Sequence, residues 1–419
     1  MRILHTSDWH LGQHFMGKSR EAEHRAFLQW LRETVAEQEV DAVIVAGDIF
    51  DTGTPPSYAR TLYNQFIVDL QQTCCRRLVV VGGNHDSVAT LNESREVLAC
   101  LNTTVIGGPA DNLDEQVVVL KDKHGKPGAV VCAIPFIRPR DVLESRAGES
   151  DTDKQQALQN AIAGHYRAVF DKASEHGLPV VATGHLTTVG GQMTESVREI
   201  YIGTLSAFPA SAFPPADYIA LGHLHRPQKV SDQDHIRYSG SPIPLSFDET
   251  STSKQVLLAD FVDGKLAEVT SVEVPQFRPL FSLKGSLTAI EEQLQGIETG
   301  DGLTPWLEIA VSTDDYLSDL QSRVHELVED KVVEVLRVRR MRENKARGLS
   351  RESTETLDEL DVSDVFSRRL AAETLEDDKV LALTQAFNEI LDQWGQNLDS
   401  DSIDPQAKND PQAKKEVEA

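Results

Sequence analysis

Short β-branched, apolar runs punctuate the first two thirds of the chain, and each ends in Gly, Asp, Asn or His: "RILHTSDWH", "VDAVIVAGDIFD", "RRLVVVGGNHD", "LPVVATGH" and "DYIALGH". Each is continuous enough for a strand buried on both faces. Between the early runs, apolar residues recur at helical spacing over Arg20 to Glu37 and Tyr58 to Gln72, so the pattern predicts α/β alternation. From His235 to Val274 it changes to "IRYSGSP", "KQVLLADF" and "LAEVTSVEV", which predict hairpin-like antiparallel strands completing the sheet structure.

Beyond Val274, strand-like "PWLEIAV" and "KVVEVLRVRRMR" alternate with helical "LTAIEEQLQ" and "YLSDLQSRVHELVED", a small α+β unit. After a polar linker, Asp361 to Trp394 reads as two helices. The second carries Val380, Leu383, Phe387, Ile390, Leu391 and Trp394 on one face. Such a pair has little core of its own, so its stripe suits either the chain's own body or a partner. From Gly395 the text is polar and acidic with a duplicated "DPQAK", as expected of a disordered tail.

Size and charge sharpen this division. At 419 residues the chain exceeds what one hydrophobic core serves, so one large domain with smaller additions is expected. No run approaches a membrane helix, and "MRIL" is too short for a secretory signal. The net charge of −25 argues against broad adhesion to nucleic acid or anionic membrane without excluding a local basic groove. From Ser350 onward there are 18 acidic and 7 basic residues, a net of −11, so the body is far less acidic than the total. Cys74, Cys75, Cys100 and Cys132 form no CxxC pair and read as reduced thiols of a cytoplasmic protein.

The chemistry lies where the strands end. Asp8 and His10 follow the first, Asp48 and Asp51 the second, and Asn84, His85 and Asp86 the third. His185 ends a later strand, and His223 with His225 follows another. Ligands collect outside the carboxyl ends of strands in open α/β sheets, so five strand ends carrying metal-ligating side chains define one candidate edge. Two Asp, one Asn and four His are too many donors for one ion and suit two sharing a bridging carboxylate. Two ions about 3.5 to 4 Å apart can grip a phosphate and activate a bound water. Oxygen and nitrogen donors without thiolate favour Mn²⁺ or Fe²⁺ and leave Zn²⁺ open. Glycines 47, 83, 184 and 222 let the chain turn as it leaves each strand.

"SDWH", "GDIFD", "GGNHD", the "GH" at 184 and "GHLH" at 222, in that order, resemble the five motifs of the calcineurin-like metallophosphoesterases. The wider text "MRILHTSDWHLG", "GDIFDTGTPPSYARTLYN" and "GNHDSVATLNESR" is similar to the SbcD-type nuclease subunits within that family. The resemblance implies an α/β sandwich of two central β-sheets flanked by helices, with a small α+β capping domain and C-terminal partner-binding helices. Its domains would be a nuclease domain at 1–275, a cap at 276–342, a linker at 343–360, an ATPase-binding helical segment at 361–395 and a disordered acidic tail at 396–419. It implies one ion on Asp8, His10, Asp48 and His225, a second on Asp48, Asn84, His185 and His223, and His85 as a noncoordinating catalytic histidine. Two divalent ions, Mn²⁺ foremost, are the implied cofactors. The implied partners are DNA and an SbcC-type SMC-like ATPase that itself uses the ATP, in a heterotetramer containing a homodimer of this chain. The implied activity is double-strand exonuclease and single-strand or hairpin endonuclease cleavage, in DNA repair, recombination and palindrome replication.

Some points stay open at this level. Some relatives place His where this chain has Asp51, and Asp86 suits either orienting His85 or capping the next turn. The basic cluster "RVRRMRENKAR", 337 to 347, fits a phosphate or partner contact or a solvated strand end. The motifs alone also suit a phosphomonoesterase, a cyclic-nucleotide phosphodiesterase or a non-catalytic scaffold. The complete ligand set argues against the scaffold, and the cap and C-terminal helices against the small-substrate enzymes.

Overall fold

The apolar runs form strands in two stacked sheets. A computed structural model of the chain describes residues 1–143, 150–194, 196–197, 207–297, 302–312 and 320–341, all within one unit, Met1–Met341. The linker, paired helices and tail expected at 343–419 lie outside the described residues.

The first sheet has the order Lys265–Glu273, Gln255–Val262, Arg2–Thr6, Ala42–Ala46, Arg77–Val81, Thr103–Ile106. Its last four strands are parallel, and the hairpin 255–273 adds antiparallel to Arg2–Thr6. The second sheet has the order Gln228–Val230, Gln233–Tyr238, Tyr218–Gly222, Val180–His185, Pro127–Cys132, Val117–Lys121. Its inner four strands are parallel and its two edges antiparallel.

Alternation along each strand sorts the core into layers, because successive side chains point to opposite faces. Ile3, Ala42, Ile44, Val79 and Val81 of the first sheet meet Val131, Val181, Tyr218 and Ala220 of the second between the sheets. Leu4, Val43, Val45, Leu78 and Val80 face outward against Phe27, Leu31, Phe66 and Ile67 of helices Glu21–Glu37 and Ser57–Leu70. Val130, Cys132, Ala182 and Ile219 face Leu158, Ile162, Tyr166 and Val169 of helix Asp151–Ser174. Full burial of each large aliphatic or aromatic side chain contributes roughly 1.5–3 kcal/mol, which makes these double-faced strands the stable scaffold.

One expectation is corrected. The stretch from His235 to Val274 is not one antiparallel run. Gln233–Tyr238 lies parallel to Tyr218–Gly222 in the second sheet, whereas Gln255–Val262 pairs with Arg2–Thr6 in the first. The segment between them crosses from sheet to sheet past the carboxyl ends of the strands, held by the buried ion pair of Lys254 with Glu249 at 2.6 Å. Apolar alternation marks a strand without naming its neighbour, so sequence pattern could not separate these partners.

The third sheet, Leu280–Gly285, Trp306–Ser312 and Glu334–Met341, is parallel and carries helices Leu287–Gln295 and Leu320–Val328 over its own core of Leu283, Ile290, Ile309 and Val324. Parallel pairing requires crossovers, and the two helices supply them. This unit docks through Phe15, Phe247, Leu280 and Trp306. Arg278 lies 4.1 Å over the Trp306 ring and donates to Glu23 at 3.3 Å.

Candidate metal centre

The carboxyl ends of both sheets open onto one edge, and the motif residues gather there. Sharp exits from the strands put four of them in the left-handed region: Asp8 (φ 55°), His10 (46°), Asp48 (52°) and His223 (96°). Non-glycine residues pay about 1–3 kcal/mol for such backbone, and strain of this kind concentrates at functional sites. Neighbouring loops hold it in place. Asp8 donates its N–H to Gly47 O at 2.9 Å and His10 to Asp48 O at 3.0 Å, so the first loop is tied along the second. The sheets approach so closely here that a Cβ on Gly222 would lie 2.0 Å from Ala46 O, and within the first sheet the loops are as close, since one on Gly83 would lie 2.1 Å from Asp48 Oδ1.

Asp48 sits at the centre and is 1% exposed. Its Oδ1 accepts the N–H of His85 at 2.9 Å, and its Oδ2 lies 3.2 Å from His185 Nε2 and 3.5 Å from His10 Nε2. Asp8 accepts from Ser7 Oγ at 2.5 Å through Oδ2 and from the N–H of His223 at 2.9 Å through Oδ1. One donor atom each of Asp8, His10 and His225 lie within 4.8 Å of one another, as do those of Asp8, Asp48 and His185 and those of His10, Asp51 and His85.

The hydrogen bonds fix the tautomers. His185 Nδ1 lies 2.9 Å from Ala46 O, a pure acceptor, so Nδ1 carries the proton and the Nε2 lone pair faces inward. That lone pair meets Asn84 Oδ1 at 2.9 Å and Asp48 Oδ2 at 3.2 Å, while His223 Nδ1 is 3.2 Å from the same amide oxygen. Lone pairs converging this way repel unless a proton or a cation lies among them. Without a metal the proton wins: burial disfavours charge on His185, but Asp48 outweighs it and lifts the pKa to about 9. Asp48 is held well below the usual carboxylate range, against burial, chiefly by His185. Burial, then His185, pushes His223 well below 6.5 and keeps its ring neutral.

Among the motif histidines, two ring nitrogens, His10 Nε2 and His223 Nε2, are buried without a hydrogen-bond partner. A buried polar atom left unpaired costs about 1–3 kcal/mol, and a cation is the partner this electron-rich set would accept. The residues therefore fit a divalent-metal centre of mixed oxygen and nitrogen donors.

Asp51 and Asp86 can now be placed. Asp51 accepts from His10 Nδ1 at 3.2 Å through its carboxylate and from His85 Nδ1 at 2.7 Å through its main-chain oxygen, so it orients both rings. Asp86 accepts from the N–H groups of Gly83, Ile49 and Phe50 at 2.8 to 3.1 Å, which ties the third motif to the second. Burial and then Asp48 raise its pKa to about 6. Sequence reasoning missed Ser7, Ser196, Glu249 and Lys254, which back the motif residues. Ser7 stands inside the first motif beside Asp8, whereas Ser196, Glu249 and Lys254 belong to none of the motif stretches and only the fold brings them to the site.

Of the basic cluster, Arg337 and Arg339 both pair with the buried Glu308 carboxylate, at 3.3 and 3.2 Å. The cluster beyond Met341 lies outside the described residues.

Residues 1–227 match the calcineurin-like phosphoesterase family, and residues 276–374 match a family described as the type 5 capsule protein repressor C-terminal domain. The chain belongs to the calcineurin-like phosphoesterase family, and its α/β architecture and motif edge are those of a metal-dependent phosphodiesterase. It is similar to the SbcD component of the nuclease SbcCD from Escherichia coli, 54% identical over 93% of this chain and 98% of the relative. The proteins of the same name from Rhodobacter capsulatus and Bacillus subtilis are 38% and 32% identical, over 69% and 76% of this chain and 73% and 81% of the relatives. Among the described residues, no helix is long and apolar enough to cross a membrane.

Proposed function

We propose that the chain is the nuclease subunit of an SbcC-type ATPase complex and hydrolyses phosphodiester bonds in DNA. The observation that carries this reading is the convergence of six further donors on Asp48, with two of their buried ring nitrogens left without hydrogen-bond partners, in a chain similar over nearly its whole length to a nuclease subunit. Asp8, His10, Asp48 and His225 would hold one ion, and Asp48, Asn84, His185 and His223 the other, with Asp48 shared. When bound, the two ions, Mn²⁺ by donor type, supply Lewis acidity and a water acidic enough to attack phosphorus.

The protein's own part is orientation and proton handling. His10 and His185 are fixed by Asp51 and the Ala46 carbonyl, so their donor nitrogens need no reorganisation. His85 donates its Nδ1–H to the Asp51 carbonyl, so in its protonated form the ring would present Nε2–H to the leaving oxygen and return to the neutral Nδ1–H tautomer once that proton is given up. The three-stranded unit with Arg278 and Trp306 at its root serves as the cap beside the site. The 361–395 segment binds the ATPase, and the assembly acts in the cytoplasm on chromosomal DNA, in repair, recombination and replication of palindromes. Two copies of this chain would sit in each heterotetramer.

The test is purified chain with Mn²⁺, given hairpin-ended duplex DNA and a small chromogenic phosphomonoester. DNA should be cut and the ester spared, with EDTA abolishing cleavage; turnover of the ester with intact DNA would place the chain among the phosphomonoesterases. Phe387→Glu with Ile390→Glu should abolish co-purification with the ATPase, and retention at full stoichiometry would move the docking surface elsewhere.

A further inference from the structure

The crossing segment between the sheets contains a buried acid, Glu249, whose partners reach the backbone and ring of a motif histidine. Glu249 is 1% exposed and closes the short turn Phe247–Glu249. Its Oε2 accepts from Lys254 Nζ at 2.6 Å and Leu245 N at 3.0 Å; its Oε1 accepts from Thr194 Oγ1 at 2.9 Å and from Ser196 Oγ. Ser196 Oγ also lies 2.6 Å from His225 Nδ1, and Glu249 Oε1 itself stands 3.5 Å from that nitrogen behind the serine. Since the serine's one proton goes to the carboxylate, its lone pair must accept from the imidazole. The relay therefore has a direction: His225 Nδ1–H to Ser196, and Ser196 O–H to Glu249.

Lys254 secures the other side of the same residue. It is 5% exposed, and its ammonium donates to His225 O at 3.0 Å, Ser241 Oγ at 2.9 Å and Glu249, which uses all three of its protons. Ring and backbone of His225 are thus held by one buried ion pair.

We propose that Glu249, acting through Ser196 and paired with Lys254, is the positioning residue that fixes His225 in the Nδ1–H tautomer and presents its Nε2 as a metal donor. The inference rests on the two-ion reading above and deepens it by giving one ion a carboxylate–serine–histidine support. Outer partners of a ligating histidine set its tautomer, orientation and basicity, and their loss typically lowers metal affinity about 10- to 100-fold. The turn has a second connection. Phe247, two residues before Glu249, packs against Phe15 in the small core that seats Trp306 of the cap, so cap docking and His225 share one support.

The experiment is Mn²⁺ titration of the full chain by calorimetry, with bound Mn²⁺ followed by electron paramagnetic resonance. Wild type should bind two ions, and Asp48→Asn should weaken both. Ser196→Ala and Glu249→Gln should weaken one ion about 10- to 100-fold and leave the other unchanged. Ser196→Thr, which keeps the hydroxyl, should restore the affinity. Ser196→Ala removes one oxygen from a part-buried position, so it tests the relay even where Glu249→Gln destabilises the chain. Two ions bound with wild-type affinities in both Ser196→Ala and the double variant Ser196→Ala with Glu249→Gln would overturn the positioning role while leaving the metal reading intact. A wild-type chain that binds fewer than two ions would instead overturn the two-ion reading.

Discussion

The first sheet delivers Asp8, His10, Asp48, Asn84 and His85 on loops that leave its strands, whereas the second delivers His185 as the last residue of a strand and His223 directly after another. All the negative charge among the proposed ligands comes from the first sheet, and the second supplies only imidazoles. The loops of the first sheet are tied to one another, by Asp8 to Gly47, His10 to Asp48 and Asp86 to three backbone N–H groups. Two of the three histidines of the second are instead tied across to the first, His185 to Ala46 O and His223 N to Asp8 Oδ1, while His225 is held by Ser196 and Lys254. One half of the centre is therefore organised within its own sheet, and the other half is complete only while the two sheets pack. Removing charge and separating the sheets should fail differently.

The largest effect belongs to the carboxylate half. Asp48→Ala removes the one acid placed between both sets of donors, so both ions should be lost. Each bound ion supplies several kcal/mol to a phosphoryl transition state. At 1.36 kcal/mol per decade their joint loss should lower DNA cleavage by about 10⁴-fold or more. Asn84→Ala should spare one ion. Elemental analysis showing two ions per chain in Asp48→Ala would remove Asp48 from the centre of the site. Next in size is His85→Gln, which should keep both ions and lower turnover by about 10² to 10⁴ if the ring transfers the proton. Near-normal turnover would leave His85 as a turn residue held by Asp51.

Gly222→Ala probes the packing half. A Cβ there would press on Ala46 O from 2.0 Å and on His185 Nδ1 from 2.9 Å, forcing the sheets apart where His185 is anchored. Overpacking of this kind costs about 1–3 kcal/mol. We expect a melting temperature lower by several degrees without metal and a smaller gain on adding Mn²⁺ than in wild type. An unchanged melting curve in both conditions would show that the sheets can separate here at no cost to the site.

The motif edge was legible because each of its residues follows an apolar run closely enough for strand end and donor to be read together. Helices Glu21–Glu37 and Ser57–Leu70 were legible for a similar reason, since their apolar faces repeat along a single element. What the text could not carry was the partition into two sheets, because "DYIALGH" and "RRLVVVGGNHD" look alike whichever layer they join. The same limit hid Ser196, Glu249 and Lys254. They lie 29, 24 and 29 residues from His225, and only the crossing of the chain between sheets brings them to it. Asp51 and Asp86 were visible as motif acids, yet their tasks depend on which backbone groups they meet.

The smallest predicted effect tests the packing between the sheets away from the metal donors. His5 lies between them, with Nε2 3.2 Å from Leu221 O and Nδ1 2.9 Å from the Tyr218 hydroxyl. The carbonyl can only accept, so Nε2 carries the proton and Nδ1 accepts from the tyrosine, and the neutral ring bridges both partners. Burial pushes its pKa down to about 3, from 6.5. Because the folded value is the lower one, the unfolded chain takes up a proton that the folded chain refuses, and this stability is lost as pH falls from about 6.5 toward 3. The slope is about 1.4 kcal/mol per pH unit, the free energy of one proton. His5→Gln removes the titrating group, so denaturant unfolding in EDTA at pH 7.0 and 5.5 should lose about 1.4 kcal/mol less in the variant than in wild type. EDTA keeps metal from competing with protons at the motif histidines, whose own titration is common to both proteins. Equal losses would mean that His5 is protonated without cost, and that the layer between the sheets admits charge and water.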